Sequence, residues 1–138
     1  MAAVDALKQP ARQQAMANSK SAQRYKAGLE VANVNLKKLS DAGVTIAMGT
    51  DTGPPGRFQG YFELMELEMM VTAGLTPRQA LASATRDAAK CMKLDAELGT
   101  LEPNKWADFI ALNGDPLSDI SNVRDIDSVW IAGNRLQR

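Results

Sequence analysis

Asp51 is the side chain of this sequence that is best placed to do chemistry. It follows an apolar run at residues 44–48 and lies within the glycine-rich segment Gly49–Gly53. When a buried strand ends in such a loop, the backbone can turn tightly and the carboxylate can face a ligand at the mouth of an α/β fold. The 138 residues contain no histidine. Asp51 therefore has no imidazole partner within this sequence for metal binding or proton transfer.

The residues before Asp51 predict the elements that hold it. Five apolar side chains recur every three or four residues, as on one face of a helix: Tyr25, Leu29, Ala32, Leu36 and Leu39. Ser19 or Ser21 is suited to cap this helix, and Gly43 to end it. Residues 44–48 are nearly all apolar, which is typical of a strand buried on both faces in a parallel sheet. A helix, a glycine stop and a buried strand form half of an α/β repeat.

Two further helices are predicted after the loop that follows Asp51. The first spans about residues 59–73, and its apolar residues cover more than one face, so we expect it to be largely buried. The second starts with Thr76, Pro77 and Gln79, which predict a capping box with proline at the first helical position. Its face of small residues extends to Met92.

The pattern changes near residue 97 to short β-like runs. These runs lie at residues 108–112, 128–131 and 135–136. Turn residues separate them, and Ala132–Asn134 predicts a hairpin between the last two. The sequence is therefore predicted to have an α/β part at residues 1–97 and a small β part at residues 98–138.

Composition limits the classes of partner. Sixteen basic and sixteen acidic residues are interspersed, whereas a nucleic-acid surface or an anionic-membrane patch would cluster lysine and arginine. No apolar stretch reaches the roughly 18 residues that span a bilayer. With one cysteine, Cys91, and no apolar leader after Met1, we expect a cytoplasmic protein without an internal disulfide.

Three stretches together resemble the C-terminal part of the metal-dependent amidohydrolase superfamily, in the branch of imidazolonepropionase-like enzymes and related dipeptidases. They are residues 42–51, residues 73–89 and residues 99–109. The third stretch departs from the family at Asn104, where glycine is usual. Asparagine also tolerates a left-handed backbone, so we expect the turn to be kept.

The resemblance implies an α/β fold that is the C-terminal part of a TIM barrel, with part of a small β-sandwich. Residues 1–97 would supply the last barrel helix and strand and the following helices, and residues 98–138 would supply strands of the composite β-sandwich. The barrel's earlier strands are not in this sequence. The chain would therefore need the N-terminal barrel half, from the same or another chain, and a homo-oligomer is compatible with this.

The resemblance also implies a function for Asp51. In the family this residue ligates or adjoins a divalent metal, with zinc the expected ion, takes a proton from water and passes it to the leaving nitrogen. The substrate would be a small-molecule or peptide-like amide, and the reaction hydrolysis of a carbon–nitrogen bond. Because the family's remaining ligands include histidines on earlier strands, we expect the isolated chain to be inactive.

The loop after Asp51 holds three candidate substrate-binding residues. The Arg57 guanidinium could pair with a substrate carboxylate, and the rings of Phe58 and Tyr61 could line a pocket. A solvated loop arginine is the alternative. The nearby helix carries three glutamates that are expected to form a solvated edge or to pair with cations: Glu63, Glu66 and Glu68.

Two other functions fit Asp51 taken by itself. The tripeptide Asp51-Thr52-Gly53 is the one that aspartic proteases carry, in which two carboxylates share a proton. Such an enzyme would have to be all-β, which the capped helix at Thr76 contradicts. Alternatively, Asp51 only caps a helix or loop, and the chain is an interaction or regulatory module.

Overall fold

The computed structural model describes residues 2–53 and 58–137. Within these ranges six α-helices come first: α1 (Ala2–Leu7), α2 (Pro10–Ala17), α3 (Lys20–Asp41), α4 (Tyr61–Thr72), α5 (Pro77–Ala84) and α6 (Arg86–Cys91). Three strands and a 3₁₀ helix follow: β1 (Phe109–Leu112), the 3₁₀ helix (Ile120–Arg124), β2 (Ile126–Ile131) and β3 (Asn134–Arg135). Because helices dominate the chain, the all-β aspartic-protease alternative is wrong.

Helix α3 confirms the periodicity predicted before Asp51. Ser19 caps it by accepting a hydrogen bond from the Ala22 amide at 3.1 Å, so Ser19 rather than Ser21 is the cap. The helix ends where Gly43 takes a left-handed backbone, with φ +77°. Among the described residues, no helix is long and apolar enough to cross a membrane.

The segment 44–48 has no regular secondary structure, so the prediction of a strand is wrong for the structure. Ile46 and Met48 are half-buried, whereas Val44 and Thr45 before them and Ala47 between them are exposed. A strand requires a neighbour with which to form a hydrogen-bonded ladder, and none of the described strands pairs with this segment. Its main chain is instead hydrogen-bonded to two helices: the Val44 amide donates to the Leu39 carbonyl of α3 at 3.0 Å, and the Met48 amide donates to the Ser83 carbonyl at 3.0 Å.

The predicted capping box at the start of α5 is confirmed. The Gln79 amide donates to the Thr76 hydroxyl at 3.2 Å, and the Gln79 side chain accepts from the Thr76 amide at 2.8 Å. The helix does not run on to Met92 as expected. At Thr85 the backbone leaves helical geometry (φ −123°, ψ −91°), and α6 starts there as a separate helix.

Helices and the C-terminal region share one core. Its buried members are Leu67, Met70, Leu75 and Ala80 together with Ile120 and Val123. Helix α4 contributes two of these residues and is otherwise half-buried along most of its length, so it is less buried than its sequence predicts. The Arg124 guanidinium donates two hydrogen bonds to the Glu68 carboxylate, at 2.6 and 3.1 Å, and ties the 3₁₀ helix to α4.

The three strands form an antiparallel sheet in the order β1-β2-β3. Phe109 pairs with Trp130, and their rings stack with centroids 5.4 Å apart. The predicted hairpin is confirmed, because β2 and β3 pair antiparallel. Its two turn residues, Ala132 and Gly133, both have positive φ, as in the turns that commonly close two-residue hairpins. The Asp108 carboxylate accepts from the Ala132 amide at 2.6 Å and braces this turn.

The connection from α6 to the sheet contains three residues with a left-handed backbone, Lys93, Gly99 and Asn104. Asn104 has φ +71°, which confirms that asparagine keeps the turn expected there. Gly99 has φ +91°, and a Cβ atom at this residue would lie 2.6 Å from the Ala89 Cβ and 3.0 Å from the Thr85 carbonyl oxygen. The chain therefore passes against the junction of α5 and α6 at a distance that only glycine permits.

Candidate functional site

Asp51 lies between residues 44–48 and α4 in the chain, and its side chain is exposed. Its backbone has φ +51°, in the left-handed region that non-glycine residues seldom adopt. Aspartate is among the residues that tolerate this conformation best, but the conformation still needs support from the surroundings. The support comes from the residues on both sides of Asp51.

Glu63 in the first turn of α4 binds both neighbours of Asp51. The Thr50 and Thr52 hydroxyls donate to the same oxygen, Oε1, at 2.9 and 2.7 Å. The other oxygen, Oε2, accepts from the Gly60 amide at 2.5 Å. One carboxylate thus connects the segment before the loop with the start of the helix after it.

These contacts favour the charged form of Glu63. Hydrogen bonding, first of all from the Thr52 hydroxyl, holds the pKa of Glu63 below the ordinary range of a glutamate. Glu66, one turn further along α4, shows the opposite effect, because burial raises its pKa. Among the described residues the partners of Glu63 are hydroxyls and an amide, whereas Glu68 pairs with a cation, Arg124, as expected for this set of glutamates.

The two aromatic candidates, Phe58 and Tyr61, lie in the sequence on either side of Gly60, whose amide donates to the Glu63 carboxylate. Phe58 and Tyr61 are each about half exposed, at 53% and 54%. The Tyr61 ring packs edge-on against Phe62, with centroids 5.4 Å apart, and the Arg124 guanidinium lies 5.1 Å from its centroid. Arg57 lies outside the described residues. Gly60, which precedes Tyr61, donates to the same Glu63 carboxylate as the two threonines that flank Asp51.

The described residues do not by themselves fit a divalent metal. No group of three or more histidine, cysteine, aspartate or glutamate side chains in residues 2–53 and 58–137 could hold an ion. A metal centre needs about four or more ligands, and the Asp51 carboxylate could supply one of them. Any further ligands would have to come from other residues.

An open apolar groove of about 850 Å³ runs between the helices and the sheet. Its walls come from α4, α5 and α6 on one side and from β1 and β2 on the other, and Met48 and Glu63 lie among its lining residues. Ile110 and Ile131 on the sheet side remain about half exposed. This groove is an apolar surface that the described part of the chain leaves uncovered.

Glu63 is the site residue that was not predicted as such. Its spacing from Gly60 is the signal that could have found it, since a glutamate three residues after an N-cap commonly accepts from the N-cap amide. Nothing in the spacing reveals the two threonine contacts, which join residues 11 and 13 positions apart.

Comparison with known proteins gives consistent similarities. A sequence model of the Amidohydrolase family matches residues 10–136. An imidazolonepropionase from Deinococcus deserti is 37% identical over 107 residues, which cover 72% of this chain and 26% of the relative. An ochratoxinase from Aspergillus niger is 39% identical over 97 residues, which cover 67% of this chain and 19% of the relative.

A solved structure shows the same likeness in three dimensions. The crystal structure of a Xaa-Pro dipeptidase with bound methionine superimposes with a TM-score of 0.68 and 33% sequence identity, over 77% of this chain and 25% of that one. The chain thus spans about a quarter or less of the length of the proteins it matches.

Proposed function

The chain belongs to the amidohydrolase family, and on that basis we propose that it forms part of an enzyme that hydrolyses a carbon–nitrogen bond in an amide, cyclic amide or peptide-like substrate. Its fold is that of the C-terminal part of a TIM-barrel amidohydrolase. Family members named for such substrates include the imidazolonepropionase and the Xaa-Pro dipeptidase. The active sites of TIM barrels lie at the C-terminal ends of the strands, and Asp51 follows residues 44–48, which the resemblance assigns to the last barrel strand.

Asp51 is the catalytic residue of this proposal. The observation that carries it is an exposed carboxylate on a left-handed backbone, whose two neighbours are both bound to α4. A carboxylate held in this way can accept a proton from an attacking water and return it to the leaving nitrogen. Asp51 would also be a ligand of, or a neighbour to, a divalent metal whose other ligands lie outside this chain.

Arg57, Phe58 and Tyr61 form the substrate-binding part of the proposal. They follow Asp51 by six to ten positions in the sequence, and Tyr61 is the first residue of α4. The Arg57 guanidinium would pair with a substrate carboxylate. The half-exposed rings of Phe58 and Tyr61 would contact the apolar part of a small or peptide-like substrate.

The remaining barrel would complete the structure and the site. The apolar groove, and exposed apolar residues of α3 such as Leu29, Val31 and Val34, support a partner that covers them. In this proposal residues 1–97 belong to the barrel and residues 98–138 to a composite β-domain. The isolated chain would be inactive, while zinc as the metal, a cytoplasmic location and homo-oligomerisation stay predictions from the sequence.

The test compares the 138-residue chain alone with the chain supplied with the preceding barrel strands, fused or co-expressed. A panel of Xaa-Pro dipeptides, imidazolone propionate and simple N-acyl amino acids is assayed for product release. We expect activity only in the assembled protein, and a loss of about 100- to 10,000-fold in Asp51→Asn, the range of general acid–base catalysis. Asp95→Asn, which removes another exposed carboxylate, is the control and should keep activity.

Two results would contradict the proposal. One is undiminished turnover by Asp51→Asn, which would favour the alternative of an interaction module in which Asp51 is structural. The other is a stoichiometric, tightly held zinc in the purified 138-residue chain, which would refute the need for ligands from outside it.

A further inference from the structure

We propose that Glu63 is the positioning residue for Asp51: its carboxylate fixes the backbone on both sides of Asp51 and thereby sets where the Asp51 carboxylate points. The inference rests on the proposed hydrolase function. It goes beyond that function because Glu63 would touch neither the substrate nor the reacting atoms, and would act through Thr50 and Thr52.

The first support is the symmetry of the contacts about Asp51. Glu63 accepts from residue 50 at 2.9 Å and from residue 52 at 2.7 Å, and these are the residues immediately before and after Asp51. The two hydroxyls themselves lie 3.3 Å apart. Drawing both neighbours to one oxygen curls the chain between them, and the residue in the middle has the left-handed φ of +51°.

The second support is the rigidity of the element that carries Glu63. Helix α4 is held in the core through Leu67 and Met70, which are 6% and 3% exposed. Its first turn is fixed by the Gly60 amide, which donates to the second oxygen of the Glu63 carboxylate. The helix therefore offers a fixed point to which an otherwise exposed loop is bound.

The third support is that the Glu63 carboxylate binds more than the helix cap. Among the described residues it accepts from two threonine hydroxyls through one oxygen and from the Gly60 amide through the other. A glutamate that served only as a helix cap would need the Gly60 amide alone. The threonine contacts add nothing to the cap, and their effect falls on the segment that carries Asp51.

Substitutions separate this positioning role from a structural one. Glu63→Gln keeps the size of the side chain but replaces one accepting oxygen with an amide that donates, so the three donors cannot all be satisfied. Thr52→Val removes one hydroxyl with little change in shape, and Thr52→Ser restores it. Glu66→Gln is the matched control, because Glu66 lies on the same helix and makes no hydrogen bond to residues 50, 52 or 60 among the described contacts.

The first measurement is on the 138-residue chain and does not depend on activity. Backbone amide signals and ¹⁵N relaxation of residues 50–52 are recorded by NMR. We expect Glu63→Gln and Thr52→Val to shift these signals and increase their fast motion, Thr52→Ser to resemble the wild type, and Glu66→Gln to leave them unchanged. Residues 50–52 that stay as ordered in Glu63→Gln as in the wild type would overturn the proposal.

The second measurement is kinetic and uses the chain assembled with the rest of the barrel. A displacement of about 1 Å at a reacting group can cost about 100-fold, so we expect Glu63→Gln to lower kcat by 10- to 100-fold with KM changed less than threefold. Thr52→Val should lower kcat less, and Thr52→Ser should recover it. A kcat within twofold of wild type in Glu63→Gln, or an equal loss in Glu66→Gln, would overturn the positioning role.

The two measurements distinguish the failure of this inference from the failure of the proposed function. If the assembled wild-type protein hydrolyses nothing in the panel, the proposed function fails, and the NMR result alone decides whether Glu63 fixes the Asp51 segment. If the wild type is active and Glu63→Gln is indistinguishable from it, the function stands and the positioning role is refuted.

Discussion

Replacing Gly99 with alanine tests whether the close approach of the connecting segment to the helices stabilises the chain. Gly99 has φ +91°, and an added Cβ would lie 2.6 Å from the Ala89 Cβ, 3.0 Å from the Thr85 carbonyl oxygen and 3.2 Å from the Arg86 Cα. Carbon atoms in contact normally lie about 3.5–4.0 Å apart. The neighbouring atoms are backbone or Cβ atoms, so no flexible side chain can turn away to make room.

Two contributions to the loss of stability can be estimated. A left-handed backbone costs an alanine about 1–2 kcal/mol relative to glycine. Forcing an extra methyl group into a packed site costs about 1–3 kcal/mol. We therefore expect Gly99→Ala to lower the free energy of unfolding by about 2–5 kcal/mol, a large fraction of the roughly 5–15 kcal/mol that stabilises a typical domain.

Gly43 supplies a matched control for this experiment. It also has a positive φ, +77°, but an added Cβ there would meet nothing within 4 Å. Gly43→Ala should therefore show the backbone contribution alone, about 1–2 kcal/mol. The difference between the two variants measures the crowding at Gly99.

The assay is urea unfolding of both variants and the wild type, followed by far-ultraviolet circular dichroism. We expect a lower midpoint for Gly99→Ala than for Gly43→Ala, with similar slopes. If Gly99→Ala is as stable as Gly43→Ala or more stable, the segment at Gly99 does not pack against the junction of α5 and α6 as described. Adding Ala89→Gly to Gly99→Ala should recover part of the loss, because it removes the shortest contact.

Two further predictions concern helix α4. Because the pKa of Glu63 is lowered, its contribution to stability is present above the unfolded-state pKa and is lost as the pH falls through the folded-state pKa. Because the pKa of Glu66 is raised, the folded state favours its neutral form, and the contribution of Glu66 to stability is lost as the pH rises through the folded-state pKa. As the pH rises to about 5, Glu63→Gln should thus become more destabilising, because the folded-state and unfolded-state pKa values of Glu63 both lie below that pH. Glu66→Gln should become less destabilising as the pH rises from about 4 towards 7, and unfolding curves in which both variants shift alike would refute this. Leu67→Ala should lower the free energy of unfolding by about 2–5 kcal/mol. Val123→Ala should also destabilise the chain, and each variant should unfold in one cooperative transition, because both side chains lie in one core. Separate transitions for the helical and C-terminal parts would contradict this expectation.

Local signals in the sequence predicted local structure well. The Thr76 cap with Gln79, the hairpin at Ala132–Gly133 and the left-handed Asn104 are all present. Each depends on side chains and backbone groups within a few residues of one another. The chemistry of these turns and caps is therefore readable from the sequence itself.

Features that depend on distant parts of the chain were less predictable. The apolar run 44–48 has the composition of a buried strand, but a strand needs a neighbouring strand, and the described residues provide none. The break at Thr85 carries no glycine or proline that would signal it. Glu63 belongs to the candidate site through contacts that helical periodicity cannot show.

The core shared by the helices and the C-terminal region has a consequence for how the chain is made. The Glu68–Arg124 pair joins residues 56 positions apart, and the buried residues Ile120 and Val123 lie against a core whose other members come from residues 67–80. During synthesis the apolar faces of α4 and α5 emerge from the ribosome well before the 3₁₀ helix that covers them. Folding of this region therefore includes a long-range loop closure that must wait for the C-terminal region, and until then the exposed helix faces are open to chaperones or to aggregation.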